Sequence, residues 1–150
     1  MTSLQWVGSS SNIQGLRTPG DRKRKLHDLL RCTGQRADVY LLQETHHHSQ
    51  AELERWIGSK KGDVFGAPCA KGHHGGVAVF VPTWSVFAGQ VRQIAADDAS
   101  GVRGGGRWQL LEIRAEGEVP HVLNLHLPPA VRGPGNPLRA VEPVAAAPWV

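Results

Sequence analysis

The sequence is poor in cysteine and has no long apolar run. Its two cysteines, Cys32 and Cys69, do not make a disulfide scaffold, so a reducing compartment is the expectation. No apolar stretch approaches the ~20 residues that span a bilayer. The opening M-T-S-L-Q-W-V lacks the basic start and apolar segment of a secretory signal. The expected setting is therefore inside the cell, in nucleus or cytoplasm, away from membranes. No internal repeat is present, and no G-K-[ST] follows the glycine runs, which removes a nucleotide-cradling P-loop. A tetrahedral zinc set is missing too. The adjacent histidines His46 to His48 point to alternate sides of an extended chain, and no spaced Cys or His completes them, so they read as an exposed loop beside a cleft.

What is there fits one globular domain. The chain has 150 residues with 40% hydrophobic content, enough to bury a core. A net charge of +4 and a pI near 9.5 favour a polyanionic partner. Leu4 to Val7 reads as a first strand running into a serine-rich loop that carries Asn12. After the turn Thr18-Pro19-Gly20, a helix from Asp21 to Thr33 places Leu26, Leu29 and Leu30 on one face. Arg22, Lys23, Arg24 and Lys25 crowd its first turn, where the helix dipole disfavours cations; this marks either a phosphate contact or a solvated helix end.

The central stretch is D-V-Y-L-L-Q-E-T-H, Asp38 to His46, a buried strand broken abruptly by Gln43 and Glu44. Strand, helix, strand is a crossover unit, so Asn12 and Glu44 are expected at strand ends on one edge of a sheet. Ser49 with Glu52 forms a capping box for a helix presenting Leu53, Trp56 and Ile57, ended by Gly58. Strands follow at Asp63 to Phe65 and Gly76 to Val81, with a turn at His73 and His74 between them and Pro82 as a stop, then a weaker strand from Trp84 to Val91. A flexible loop from Asp97 to Gly106 leads into a hairpin, Arg107 to Arg114 and Val119 to Leu127, turning at Gly117. Trp6, Trp56, Trp84 and Trp108 are core by default. From Ala130 the prolines and the missing periodicity predict a disordered tail, residues 130–150, beyond a domain of residues 1–129.

Four pieces stand in order: N-I-Q-G-L at Asn12, Q-E-T-H at Glu44, G-G-V-A-V-F at Gly75, and L-N-L-H-L-P-P around Asn124 and His126. Together they resemble the first half of the endonuclease/exonuclease/phosphatase superfamily, and in particular its abasic-site and retrotransposon endonuclease branch. The resemblance implies a mixed α/β (α+β) fold: a partial two-sheet β-sandwich flanked by helices, deoxyribonuclease-I-like. It assigns Asn12 and Glu44 to a catalytic Mg²⁺ or Mn²⁺ ion, a role their hard oxygens suit. His126 stands where the abasic branch usually has tyrosine, but other branches have N-x-H-L. It is expected to contact phosphate or act as a general acid, and with Glu44 it makes up the catalytic pair. Asn124 is expected to be structural. Arg17, Arg22, Lys23 and Arg107 are the candidate phosphate or nucleic-acid contacts; Asp98 is the expected counterpart of the family aspartate in D-x-x-G-R.

The family's second-half motifs, G-D-x-N and S-D-H, are absent. Phosphoryl transfer needs positioning from several directions at once, so a truncated domain with weak or no turnover is expected. One sheet face should be left uncovered and could support self-association. The implied partner is DNA or RNA. The alternatives are a non-catalytic nucleic-acid-binding or protein-interaction module and a phosphatase or lipid phosphodiesterase of the same superfamily.

Overall fold

The computed structural model describes residues 5–31 and 36–127. The expected tail, together with Leu4, Cys32 and Thr33, lies outside the described residues.

A four-stranded sheet runs in the order β1-β2-β4-β3, with β1 (Gly8–Asn12), β2 (Val39–Gln43), β3 (Gly62–Ala67) and β4 (Val77–Pro82). β1 and β2 are parallel and joined by helix α1 (Pro19–Arg31), while β2–β4 and β3–β4 are antiparallel. Helix α2 (Gln50–Ile57) leads from β2 toward β3. Its cap differs in detail from a reciprocal box. Ser49 Oγ accepts from the Glu52 N–H at 3.1 Å, but the Glu52 carboxylate reaches one residue further back, accepting from the His48 N–H at 3.0 Å. The second sheet is antiparallel, β5-β6-β7, with β5 (Val91–Ala96), β6 (Trp108–Ile113) and β7 (His121–Leu125).

Both faces of the first sheet are covered. On one, Tyr40, Leu42, Ala78 and Phe80 pack with Leu53 and Ile57 of α2, and Leu26, Leu29 and Leu30 of α1 press against them. On the other, Val39, Val79 and Val81 meet Phe87, Leu111 and Ile113. Strand β4 is buried along its whole length, as its continuous apolar character requires.

Two strands are not where the residue types put them. The first is Gly8–Asn12, a G-S-S-S-N run; of the stretch expected to be the strand, Gln5 to Val7 are described and are not strand. Its stability comes from main-chain pairing with β2, registered from Gly8↔Val39 to Asn12↔Gln43. Asp38 starts this pairing by accepting the Val7 N–H on its carboxylate at 3.0 Å. The weak strand expected at Trp84 to Val91 is instead a run of turns. Phe87 plunges into the core, Gly89 takes a left-handed φ of 73°, and the strand begins at Val91. A loop precedes Arg107, with a short 3-10 turn at Val102–Gly104, and the hairpin turns at Gly117 as expected. Trp6, Trp84 and Trp108 are surface residues rather than core, at 42%, 41% and 36% exposure.

Candidate active site

Four short segments, distant in sequence, are stitched side by side at one end of the sheets. The Thr45 N–H donates to Gly76 O and the His46 N–H to Gly75 O, each at 3.0 Å. The Gly76 N–H donates to Gly106 O at 3.0 Å, and the His126 N–H to Arg107 O at 2.7 Å. The glycines are there because the backbones nearly touch. A Cβ at Gly76 (φ 93°) would collide with Thr45 Oγ1, and one at Gly106 (φ 66°) with the Gly76 nitrogen. This row joins Q-E-T-H, G-G-V, the residues before β6 and N-L-H through backbone hydrogen bonds.

Asn12 and Glu44 adjoin this row. Parallel pairing sets Asn12 opposite Gln43, and the ladder continues past the strands with Ile13 N–H to Gln43 O at 3.1 Å and Gly15 N–H to Glu44 O at 2.6 Å. Glu44 leaves β2 at a left-handed φ of 54°, and Gln14 and His46 share that region at 51° and 60°. Such backbone is costly for residues with side chains and gathers where function imposes it. Glu44 Oε1 lies 3.3 Å from His126 Nε2, with both side chains mostly shielded from solvent. The contact is at ion-pair distance but off the line of a hydrogen bond, and His126 Nε2 has no hydrogen-bond partner. The Asn12 side-chain oxygen accepts the Gln14 N–H at 3.1 Å.

The device that sets His126 against Glu44 is Asn124, two residues before it. Its amide nitrogen lies within hydrogen-bond distance of Leu42 O (3.2 Å) in β2, Ala78 O (3.1 Å) in β4 and Gln109 Oε1 (2.9 Å) in β6. Its oxygen accepts from Gln43 Nε2 at 2.9 Å, and Gln43 also donates to Ser10 Oγ at 3.1 Å. Gln109 passes the chain on to Gln93 Oε1 at 2.7 Å. A polar thread thus crosses from β1 to β5 through both sheets. Asn124 is structural, as expected. Gln43, Gln93 and Gln109 were not anticipated, although Gln109 shares strand parity with the buried Leu111 and Ile113, a core position that should have drawn notice.

The histidine run is not an exposed loop. His47 is fully buried, its Nδ1 bonded to Thr45 Oγ1, and its Nε2 has no partner. Burial, with a smaller push from His48, drives its pKa down to about 4, so it is neutral near pH 7. His46 is also lowered, first by burial and then by His74, whose ring meets it edge-on at 4.9 Å. His48 Nδ1 is bonded to Cys69 O at 2.9 Å.

The basic candidates divide. Arg17 Nε donates to His46 O at 3.0 Å, beside the row of loops. Arg107 lies in that row, largely buried, with its N–H on Asp97 Oδ2 at 3.0 Å and its Nε without a partner. The aspartate bonded to Arg107 is therefore Asp97, not Asp98, which bonds Ser100. Arg22 and Lys25 turn back to cap carbonyls of the β1–α1 loop, whereas Lys23 stays exposed.

No family model and no curated protein matches the chain. Among solved structures it is similar to the AP endonuclease LMAP from Leishmania major, with a TM-score of 0.54 at 16% identity over 80% of this chain. The match spans 39% of that enzyme's chain. The fold is thus mixed α+β, two sheets with helices in the deoxyribonuclease-I-like arrangement. No described helix is long and apolar enough to cross a membrane.

Proposed function

We propose that this chain is an endonuclease-type, metal-dependent phosphodiesterase domain of the abasic-site and retrotransposon branch, acting on DNA or RNA inside the cell. The observation that supports this most is the contact between Glu44 and His126, brought together beside Asn12 from three separate motifs. Chemically the donor set suits a hard cation. Glu44 offers carboxylate oxygens and Asn12 an amide oxygen, although among the described residues no three His, Cys, Asp or Glu come together in a group that could hold a metal ion. Mg²⁺ and Mn²⁺ are commonly held by one or two protein oxygens, with water and substrate phosphate completing the shell. When bound there, the ion supplies Lewis-acid polarisation of a phosphoryl oxygen. Glu44 and Asn12 would hold it. His126, whose Nε2 is buried beside Glu44 without a hydrogen bond, would turn toward the substrate to donate to a phosphoryl oxygen or to the leaving alkoxide. Arg17 and Arg107 add positive charge around the scissile phosphate.

Turnover should be weak, because G-D-x-N and S-D-H have no counterpart in this sequence. The test is Mn²⁺ titration followed by calorimetry, with supercoiled-plasmid nicking alongside. Glu44→Gln should abolish Mn²⁺ uptake without changing the circular dichroism spectrum or melting temperature, and any Mg²⁺-dependent nicking should vanish with it. Unchanged Mn²⁺ uptake would sink the metal role. A second reading, a non-catalytic module that pairs with another chain or a second copy, is favoured by the outer face of β6 and β7, where Leu123 and Leu125 are 49% and 47% exposed.

A further inference from the structure

Away from the row of loops, helices α1 and α2 enclose a cleft of ≈ 430 Å³. Leu26 and Leu30 form its floor and Trp56 one wall, all three packed against the core. Its rim is cationic: Arg22, Lys23 and Lys61 line it, and no carboxylate does. The Arg22 guanidinium lies over the Trp56 ring at 5.3 Å and is held there by donating to Leu16 O at 3.0 Å. Asp21 on the same turn is already paired with Arg24 at 3.3 Å. Lys23 and Lys61 are exposed and make no side-chain hydrogen bond or ion pair among the described residues.

The cleft is also linked to the strand-end site. Arg22 reaches Arg17 O at 3.4 Å, and Arg17 reaches His46 O at 3.0 Å. Arg17 and Arg22 thus lie in succession between His46 and the cleft, each held by a backbone carbonyl. Free cations bordering a stacked cation–aromatic pair are a combination that holds single-stranded nucleic acid, with phosphates on the lysines and a base stacked on the Arg22 guanidinium that Trp56 supports.

We propose that the α1–α2 cleft is a second contact for a nucleic-acid strand, seating a phosphate-and-base unit of single strand that leaves the strand-end site. This rests on the function proposed above. It adds a contact made by two lysines that have no hydrogen-bond or ion-pair partner among the described residues.

The experiment is fluorescence anisotropy of the whole chain with a labelled single-stranded DNA 20-mer over a salt series, with an unlabelled mononucleotide as competitor and Mn²⁺ uptake measured in parallel. Lys23→Glu with Lys61→Glu should weaken 20-mer binding about tenfold or more and flatten the log–log salt dependence by about 1.4, since each single-strand phosphate that a lysine neutralises adds ~0.7 to the slope. Trp56→Leu should weaken it about tenfold at unchanged salt slope. Wild-type affinity and slope in the double lysine variant would overturn the cleft; if Glu44→Gln still abolished Mn²⁺ uptake, the strand-end reading would stand. Loss of strand binding in the lysine variant with Mn²⁺ uptake indifferent to Glu44→Gln would do the reverse. A mononucleotide that competes as well as an unlabelled 20-mer would overturn the strand assignment in favour of a free-nucleotide pocket.

Discussion

In the four-stranded sheet every residue of β4 is buried, with helices on one face and the second sheet on the other. In the three-stranded sheet only the inner positions are closed. Leu111 and Ile113 are 1% exposed, whereas Trp108, Leu123 and Leu125 on the outer face stand 36–49% exposed. The first sheet supplies Asn12 and Glu44 and the second supplies His126, so the candidate site sits on the seam between a finished layer and an unfinished one. The seam holds because its interior is polar where the two sheets must keep register and apolar elsewhere. Hydrophobic contact alone does not fix how one sheet slides on another; Asn124 and its partners do.

The seam should break most readily at Asn124. Asn124→Ala removes the two amide donors that lie within reach of Leu42 O, Ala78 O and Gln109 Oε1, and takes from Gln43 one of its acceptors, all in a buried seam. At roughly 1–3 kcal/mol for an unsatisfied buried group, the loss should be about 4 kcal/mol in urea unfolding. Leu111→Ala, on the same inner face, should cost about 3 kcal/mol through the cavity it leaves. If Asn124→Ala proves milder than Leu111→Ala, the thread is not what registers the sheets.

Much of this architecture is legible in residue order, and the misses share a cause. β2, β4 and the final hairpin are legible because their apolar periodicity is strong and their stops are prolines, glycines or the abrupt Gln43-Glu44. Asn12 and Glu44 are legible as neighbours because a crossover unit leaves little choice of geometry. β1 is not, since Gly8 to Asn12 has almost no strand propensity and becomes a strand only because β2 lends it a partner. His47 misleads for the converse reason. A histidine flanked by histidines gives no local sign of burial, and its place is set by the Gly66 and Gly76 backbones, whose missing side chains make room for the ring.

The buried His47 sharpens the comparison by making the finished sheet acid-sensitive. Its pKa is about 4 when folded against an ordinary 6.5, so below pH 6.5 the unfolded chain takes up a proton that the folded chain refuses. Stability from this group is therefore complete above pH 6.5 and is lost as the pH falls toward 4, by about 3 kcal/mol in all. His46 is shifted in the same direction. Urea midpoints should fall between pH 6.5 and 5, where most carboxylates are still ionised, and His47→Gln should be less stable at pH 7.5 but flatter across that window. A wild-type midpoint that does not move there would show that the ring is not sealed in.

The smallest effect should come from the outer face. Leu123 pairs across the sheet with Leu110, but half of its surface already meets water, so Leu123→Ser removes little burial and should change the unfolding free energy by no more than about 0.5 kcal/mol. Its consequence should appear in association instead. If the exposed face drives pairing, sedimentation should show the wild-type chain growing with concentration and Leu123→Ser with Leu125→Ser remaining monomeric. If the double variant is equally stable and the wild type is itself monomeric throughout, the outer face is tolerated in solution, and the pairing module loses the observation that favours it.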